Sequence, residues 1–214
     1  MGFELQWKYA LGSIAVAGGM AGCLAGCGSG SPQGAVLRAD AEFSPPVSAT
    51  AFEAIDEVNA AVAQTFTVQQ DGLFEKFEFV ITDGESTDAG TIQVTVQPVS
   101  AGGVIDDDPN NSLIDPILVN TTSLPAILVD ESTLFDVGSQ PGREVLVGER
   151  YAIVVAFVSR ATNHDTNAIA RVLGLLPNPG DPYADGTAAT GELNVGFTNN
   201  TEDLFFQTFV LTES

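Results

Sequence analysis

Two stretches decide how this chain folds: residues 91–99, TIQVTVQPV, and residues 151–158, YAIVVAFV. In the first, Ile92, Val94 and Val96 alternate with Thr91, Gln93, Thr95 and Gln97, the two-residue rhythm of a strand with one buried face. In the second nearly every residue is apolar, so both faces need cover, as in the middle of a sheet inside a sandwich.

Outward from these, the same rhythm recurs. Residues 63–68 (AQTFTV) alternate, and Gln69, Gln70, Asp71 and Gly72 then read as a turn. Beyond it Phe74, Lys76, Glu78 and Val80 are expected on one face, with Glu75, Phe77, Phe79 and Ile81 on the other. Short strands are also expected over residues 125–129, 133–137, 144–147 and 169–176. Residues 192–197 and 204–211 form an expected closing pair joined by residues 198–201. Residues 50–63 read as a short helix: Thr50 and Glu53 have capping-box spacing, and Phe52, Ile55, Val58 and Val62 recur at threes and fours. Eight to ten strands punctuated by 22 Gly and 11 Pro imply an all-β fold. The expected architecture is a two-sheet antiparallel jelly-roll-like sandwich with at most one short N-terminal helix.

Composition narrows the partners. The 214 residues suit one domain, and 28 Asp and Glu against 7 Lys and Arg give a net charge of -21. Such a chain has no basic surface for phosphates, which excludes nucleic acid and adhesion to anionic lipid through a basic patch. It is no acidic disordered tail either, because 44% of it is hydrophobic and 13 residues are Phe.

The first 26 residues read as a processing signal. Lys8 precedes a short apolar run at residues 9–20 (YALGSIAVAGGM), which is too short and Gly-rich for a membrane-spanning helix. Leu24, Ala25, Gly26 and Cys27 then resemble the lipobox of bacterial lipoproteins, in which the cysteine becomes the lipidated first residue. Cys23 is a second candidate, and two cysteines in a merely hydrophobic leader is the alternative. With Cys27 as anchor, residues 27–48 read as a flexible tether and residues 49–214 as the sandwich. Cleavage there removes Glu4 and Lys8 together, so the charge stays at -21. No cysteine follows Cys27, so the folded part has no disulfide, thiolate zinc site or cysteine nucleophile.

Four segments resemble those of bacterial extracellular jelly-roll modules, a group of carbohydrate-binding-like and adhesive β-sandwiches. Residues 63–68 are similar to the opening strand of that group, and residues 148–155 (GERYAIVV) to its "AGQxYALVL" strand. Residues 178–186 (NPGDPYADG) resemble its "NPYxGG" loop, and residues 203–210 (DLFFQTFV) its "DLAFRTFV" strand. The resemblance implies export and a cell-surface binding role without catalysis. Two departures stand out: where that strand has Phe and Arg, Phe206 keeps the Phe but Gln207 replaces the Arg, and the usual Trp is absent, Trp7 in the leader being the only one.

The chemistry-bearing residues are few. His164, the only histidine, sits in a polar turn with no nucleophile elbow, and a three-His metal site is impossible. Calcium is the candidate ion, because Asp106, Asp107, Asp108, Asn110 and Asn111 crowd oxygen donors on one Pro-interrupted loop; a solvated acidic surface explains them as cheaply. Tyr183 with Asp181 and Asp185 is the candidate ligand contact, an aromatic ring flanked by polar groups; a rim residue closing the sandwich is the other reading of Tyr183. The expected role is a lipid-anchored, non-enzymatic module that binds glycan or another surface partner. Two rivals remain: a self-assembling subunit of a surface layer or filament, and a secreted hydrolase with two convergent carboxylates.

Overall fold

The computed structural model describes residues 34–43, 51–55, 58–79, 81–82, 90–124, 133–137, 143–160, 170–175, 183–199 and 203–213. Its strands in chain order are β1 (Val36–Phe43), β2 (Ala51–Ile55), β3 (Ala60–Thr67), β4 (Gly72–Phe79), β5 (Ile81–Thr82), β6 (Gly90–Pro98), β7 (Ile117–Asn120) and β8 (Thr133–Asp136). They continue as β9 (Glu144–Val145), β10 (Arg150–Arg160), β11 (Ala170–Leu175), β12 (Ala188–Glu192), β13 (Gly196–Asn199), β14 (Asp203–Leu204) and β15 (Phe206–Thr212). Two antiparallel sheets form the sandwich. One has five strands in the order β1-β15-β4-β8 with β9 on β4; the other has six in the order β13-β12-β3-β10-β6-β7. A further four-stranded sheet has the order β14-β11-β2 with β5 on β11.

Between the sheets lies an aromatic core. Phe66 of β3 reaches across to Phe74 of β4 and Phe206 of β15, with ring centroids 6.1 and 6.0 Å apart. Phe77 stacks on Phe135 at 5.0 Å. Each such ring contributes roughly 1.5–3 kcal/mol through burial, and these separations fall in the favourable range for aromatic pairs. β10 is covered on both faces as its sequence requires. Ile153, Val155 and Phe157 join this core, while Ala152, Val154 and Ala156 join a second cluster with Ala61, Ala63 and Ala189. In β6, Ile92, Val94 and Val96 are fully buried as the alternation demands; Thr95 and Gln97 on the other face are buried too.

Three sequence expectations are corrected. The helix over residues 50–63 is instead β2, a turn at Val58 and Asn59, and β3. Asn59 takes a φ of 75°, which ends any helical path, and the β-branched residues gain more by pairing with β11 and β10. The folded body begins inside the expected tether, because residues 36–43 pair with β15 from Val36↔Thr212 to Phe43↔Phe206. The expected closing pair is not one: β12 and β13 form a hairpin through Leu193, Asn194 and Val195, whereas β15 lies between β1 and β4. The expected strand over residues 125–129 lies outside the described residues.

A fourth difference is in phase. Simple alternation puts Phe74 and Phe77 on opposite faces, yet both are fully buried. The register explains it: Phe74 faces Val210 while Lys76 faces the adjacent Phe209, so Glu75 is the extra residue of a β-bulge. Arg143 pins the bulge, its guanidinium donating to the Phe74 carbonyl at 2.8 Å and to the Glu75 carboxylate at 2.7 Å.

Candidate functional site

One end of the six-stranded sheet gathers the loops that carry the candidate residues. In the strand order β12-β3-β10-β6, residues 183–187 lead into β12 and residues 68–71 leave β3. Residues 146–149 lead into β10, and residues 99–112 leave β6. Hydrogen bonds lace them together. Val68 N–H donates to Glu149 O at 2.9 Å, Val99 N–H to Arg150 O at 2.9 Å, and the Thr67 hydroxyl to Asp185 O at 2.8 Å. The structure thus brings Tyr183 and Asp185 to the same end as Asp106, Asp107, Asp108, Asn110 and Asn111. Two strands, β3 and β10, stand between the groups, at about 5 Å per strand step. Asp181, His164 and Cys27 lie outside the described residues.

Tyr183 packs as a rim residue. Its ring meets Phe206 edge to face at 5.1 Å. Burial pushes its hydroxyl up to about 12, and the neighbouring carboxylates of Asp185, Asp40 and Asp203 add to the shift. It is therefore a neutral phenol near neutral pH rather than a base. Asp185 is exposed and offers its carbonyl to Thr67.

The acidic loop is ordered by its own side chains. Asp106 accepts from Asp108 N–H at 3.0 Å and from Asn111 Nδ2 at 2.9 Å. Asp108 caps the short 3₁₀ turn Pro109–Asn111, accepting from Asn110 N–H at 2.9 Å and Asn110 Nδ2 at 2.7 Å. Among the described residues no three His, Cys, Asp or Glu side chains gather as an ion-binding group. A shallow open depression of about 450 Å³ adjoins the loop, walled by Pro98, Val99, Ser100, Val104, Ile105 and Asp106.

Two features escaped the sequence. Beneath Tyr183 lies a buried polar junction, in which Asp203 accepts from Gln64 Nε2 at 3.0 Å and from Tyr183 N–H at 3.1 Å. Gln64 in turn accepts Leu204 N–H at 2.7 Å. A polar residue sharing the parity of Val62 and Phe66 was its signal in the sequence. The second is Asp40 at the β1 bulge, where one oxygen accepts Gln69 N–H at 2.9 Å and the other is buried with no hydrogen-bond partner. Burial raises its pKa, against the lowering effect of Gln69, Gln70 and Thr208.

Fold and loops together define an all-β antiparallel sandwich with the described candidate residues at one end of its six-stranded sheet. No family model matches the chain, and no curated protein matches it.

Proposed function

We propose that the protein is a non-catalytic module of the cell surface, held by lipid on Cys27, whose loop end engages a glycan or another surface partner. The gathering of four loops on one rigid sheet end carries this reading, since loops presented from fixed strands are where binding residues concentrate. The polar groups found there support it. Asp106, Asp108 and Asp203 are committed to hydrogen bonds that hold loops in place, and Tyr183 is committed to packing on Phe206. Edge-on packing of Tyr183 favours a ligand held by polar and aliphatic contacts over one stacked on an aromatic platform.

The test is to screen the lipid-bearing full chain against a glycan array and against envelope proteins, with and without calcium, alongside Cys27→Ser. Membrane association lost in Cys27→Ser, with saturable binding sensitive to changes in residues 183–187, is the expected result. Turnover of any glycan, or an unaltered membrane fraction for Cys27→Ser, overturns it. Among the described residues β1, β7 and β13 each pair on one side only, which favours self-assembly as a second reading. Sedimentation as large species would support it, and a monomer at every salt concentration would remove it.

A further inference from the structure

We propose that the loop end rests on a lipid surface, with Leu146 and Val147 at the point of contact. This rests on the tethered reading and deepens it, naming lipid, in place of a glycan, as the surface partner of the loop end. Among the described residues eight large hydrophobic side chains are exposed, and five of them, Val36, Leu37, Val104, Leu146 and Val147, border this end. The register ties them together. Leu37 faces Leu211, Leu211 faces Leu73, and Gly72 faces Val145, so residues 146–147 project past the rim from which the chain enters β1. Val104 lies in the loop closed by Ser100, next to the Val99–Arg150 bond.

The turn that bears the two side chains is fixed on every side. Glu149 N–H donates to Leu146 O at 3.0 Å, and Gly148 takes a φ of 87°, a type II arrangement with Val147 in the leading corner. Asp71 accepts Val147 N–H at 2.7 Å, Glu149 accepts Leu146 N–H at 2.9 Å, and Gly148 N–H donates to Val68 O at 2.9 Å. Backbone N–H groups bonded to carbonyls and to the Asp71 and Glu149 carboxylates shape this turn, so the fold does not require branched aliphatic side chains at its tip. They stand 57% and 59% exposed.

The chain's path says what meets them. Cys27 precedes Val36 by nine residues, and an extended chain of that length spans at most ~30 Å. A lipid on Cys27 keeps the rim that close to the bilayer, where a weak apolar contact is enough because the tether supplies a high effective concentration. Charge selects the surface. Asp71, Asp108, Glu144, Glu149 and Asp185 are exposed here beside Arg150, so the end avoids anionic headgroups, whereas an apolar contact with zwitterionic lipid, which has no net charge, depends little on salt. A basic protein partner, by contrast, binds less tightly as salt rises.

The experiment uses the lipid-bearing chain in phosphatidylcholine vesicles; removal of residues 1–26 takes away Trp7, the only native Trp, so each introduced Trp reports alone. It compares Val147→Trp with Val195→Trp at the opposite end of β12, and Leu146→Trp is a second reporter. Acyl-chain-brominated lipid is expected to quench Val147→Trp about twofold, at low and high salt alike, and to leave Val195→Trp unchanged. Equal quenching at both positions, or a contact that salt weakens, overturns the proposal. Failure of the chain to float with vesicles overturns the tethered reading, and this one with it. Flotation without quenching at 146 and 147 overturns this one alone.

Discussion

Gln64 and Gln97 are both buried glutamines, 0% and 1% exposed, yet replacing each with Leu is expected to have different consequences. At Gln64, Leu fills the space but strips Leu204 N–H of its acceptor and Asp203 of one donor. An orphaned buried N–H costs about 1–3 kcal/mol, and a hydrogen bond to a buried carboxylate is worth about 1.5–3 kcal/mol. Against the gain from burying an aliphatic side chain, Gln64→Leu loses about 3 kcal/mol. At Gln97 the amide oxygen has no partner and the amide nitrogen makes one 3.2 Å bond to the Thr95 hydroxyl. Gln97→Leu therefore removes an unmet group and stays within about 1 kcal/mol of the parent, on either side. Urea titrations at pH 7 with equal m-values give both numbers, and thermal melts should show Gln64→Leu lower by about 6–12 °C. Equal losses for the two variants would refute the premise that hydrogen-bond satisfaction, rather than burial alone, decides the cost.

Other perturbations follow from the same contacts. Asp40 has a raised pKa in the fold, so the protonated form is favoured there. The associated stability is fully present below the unfolded value near 3.8 and is lost as pH rises through the folded value. Asp40→Asn should thus be more stable than the parent at pH 7 and flatten the stability profile just above pH 4, as read by denaturation across pH. Arg143→Met uncovers the Phe74 carbonyl and leaves Glu75 unpaired, for an expected loss of about 2–4 kcal/mol by urea titration. A loss below about 0.5 kcal/mol would mean the bulge holds without it. In Gly186→Ala the new methyl would overlap the Thr65 carbonyl oxygen, so the 183–187 loop must shift and Tyr183 must leave Phe206. Near-UV dichroism of that variant should lose part of its aromatic signal, and an unchanged spectrum would contradict the close approach.

Much of the architecture was legible in the sequence, because a half-buried strand and a doubly covered strand write different patterns. The alternation at Ile92, Val94 and Val96 and the apolar run of β10 needed no partner to be read. What the sequence hid depends on pairing between distant segments. The spacing of Phe52, Ile55, Val58 and Val62 fits one helix or two short strands equally, and the choice belongs to β11 and β10. Glu75 looks like any outward-facing residue, and only the offset between Phe209 and Val210 marks it as inserted. The strand at Val36–Phe43 was obscured by its flanking Gly and Pro residues, although its partner β15 is 163 positions away at the nearest pair. At the loop end, the acidic residues were legible as oxygen donors, but not that Asp106 and Asp108 turn those oxygens onto their own loop. Leu146 and Val147 looked like the continuation of a strand, and their exposure became apparent only with the Gly148 turn.

The pairing of β1 with β15 also sets how the molecule bears mechanical load. Val36 and Thr212 face each other across an antiparallel ladder, so pulling those two points apart opens the ladder one rung at a time, the geometry of a zipper. Pulling Val36 against the far hairpin at Val195 instead spreads the tension over many rungs and through the core beneath them. Its rupture force should therefore depend on where it is gripped, with the second direction the stronger.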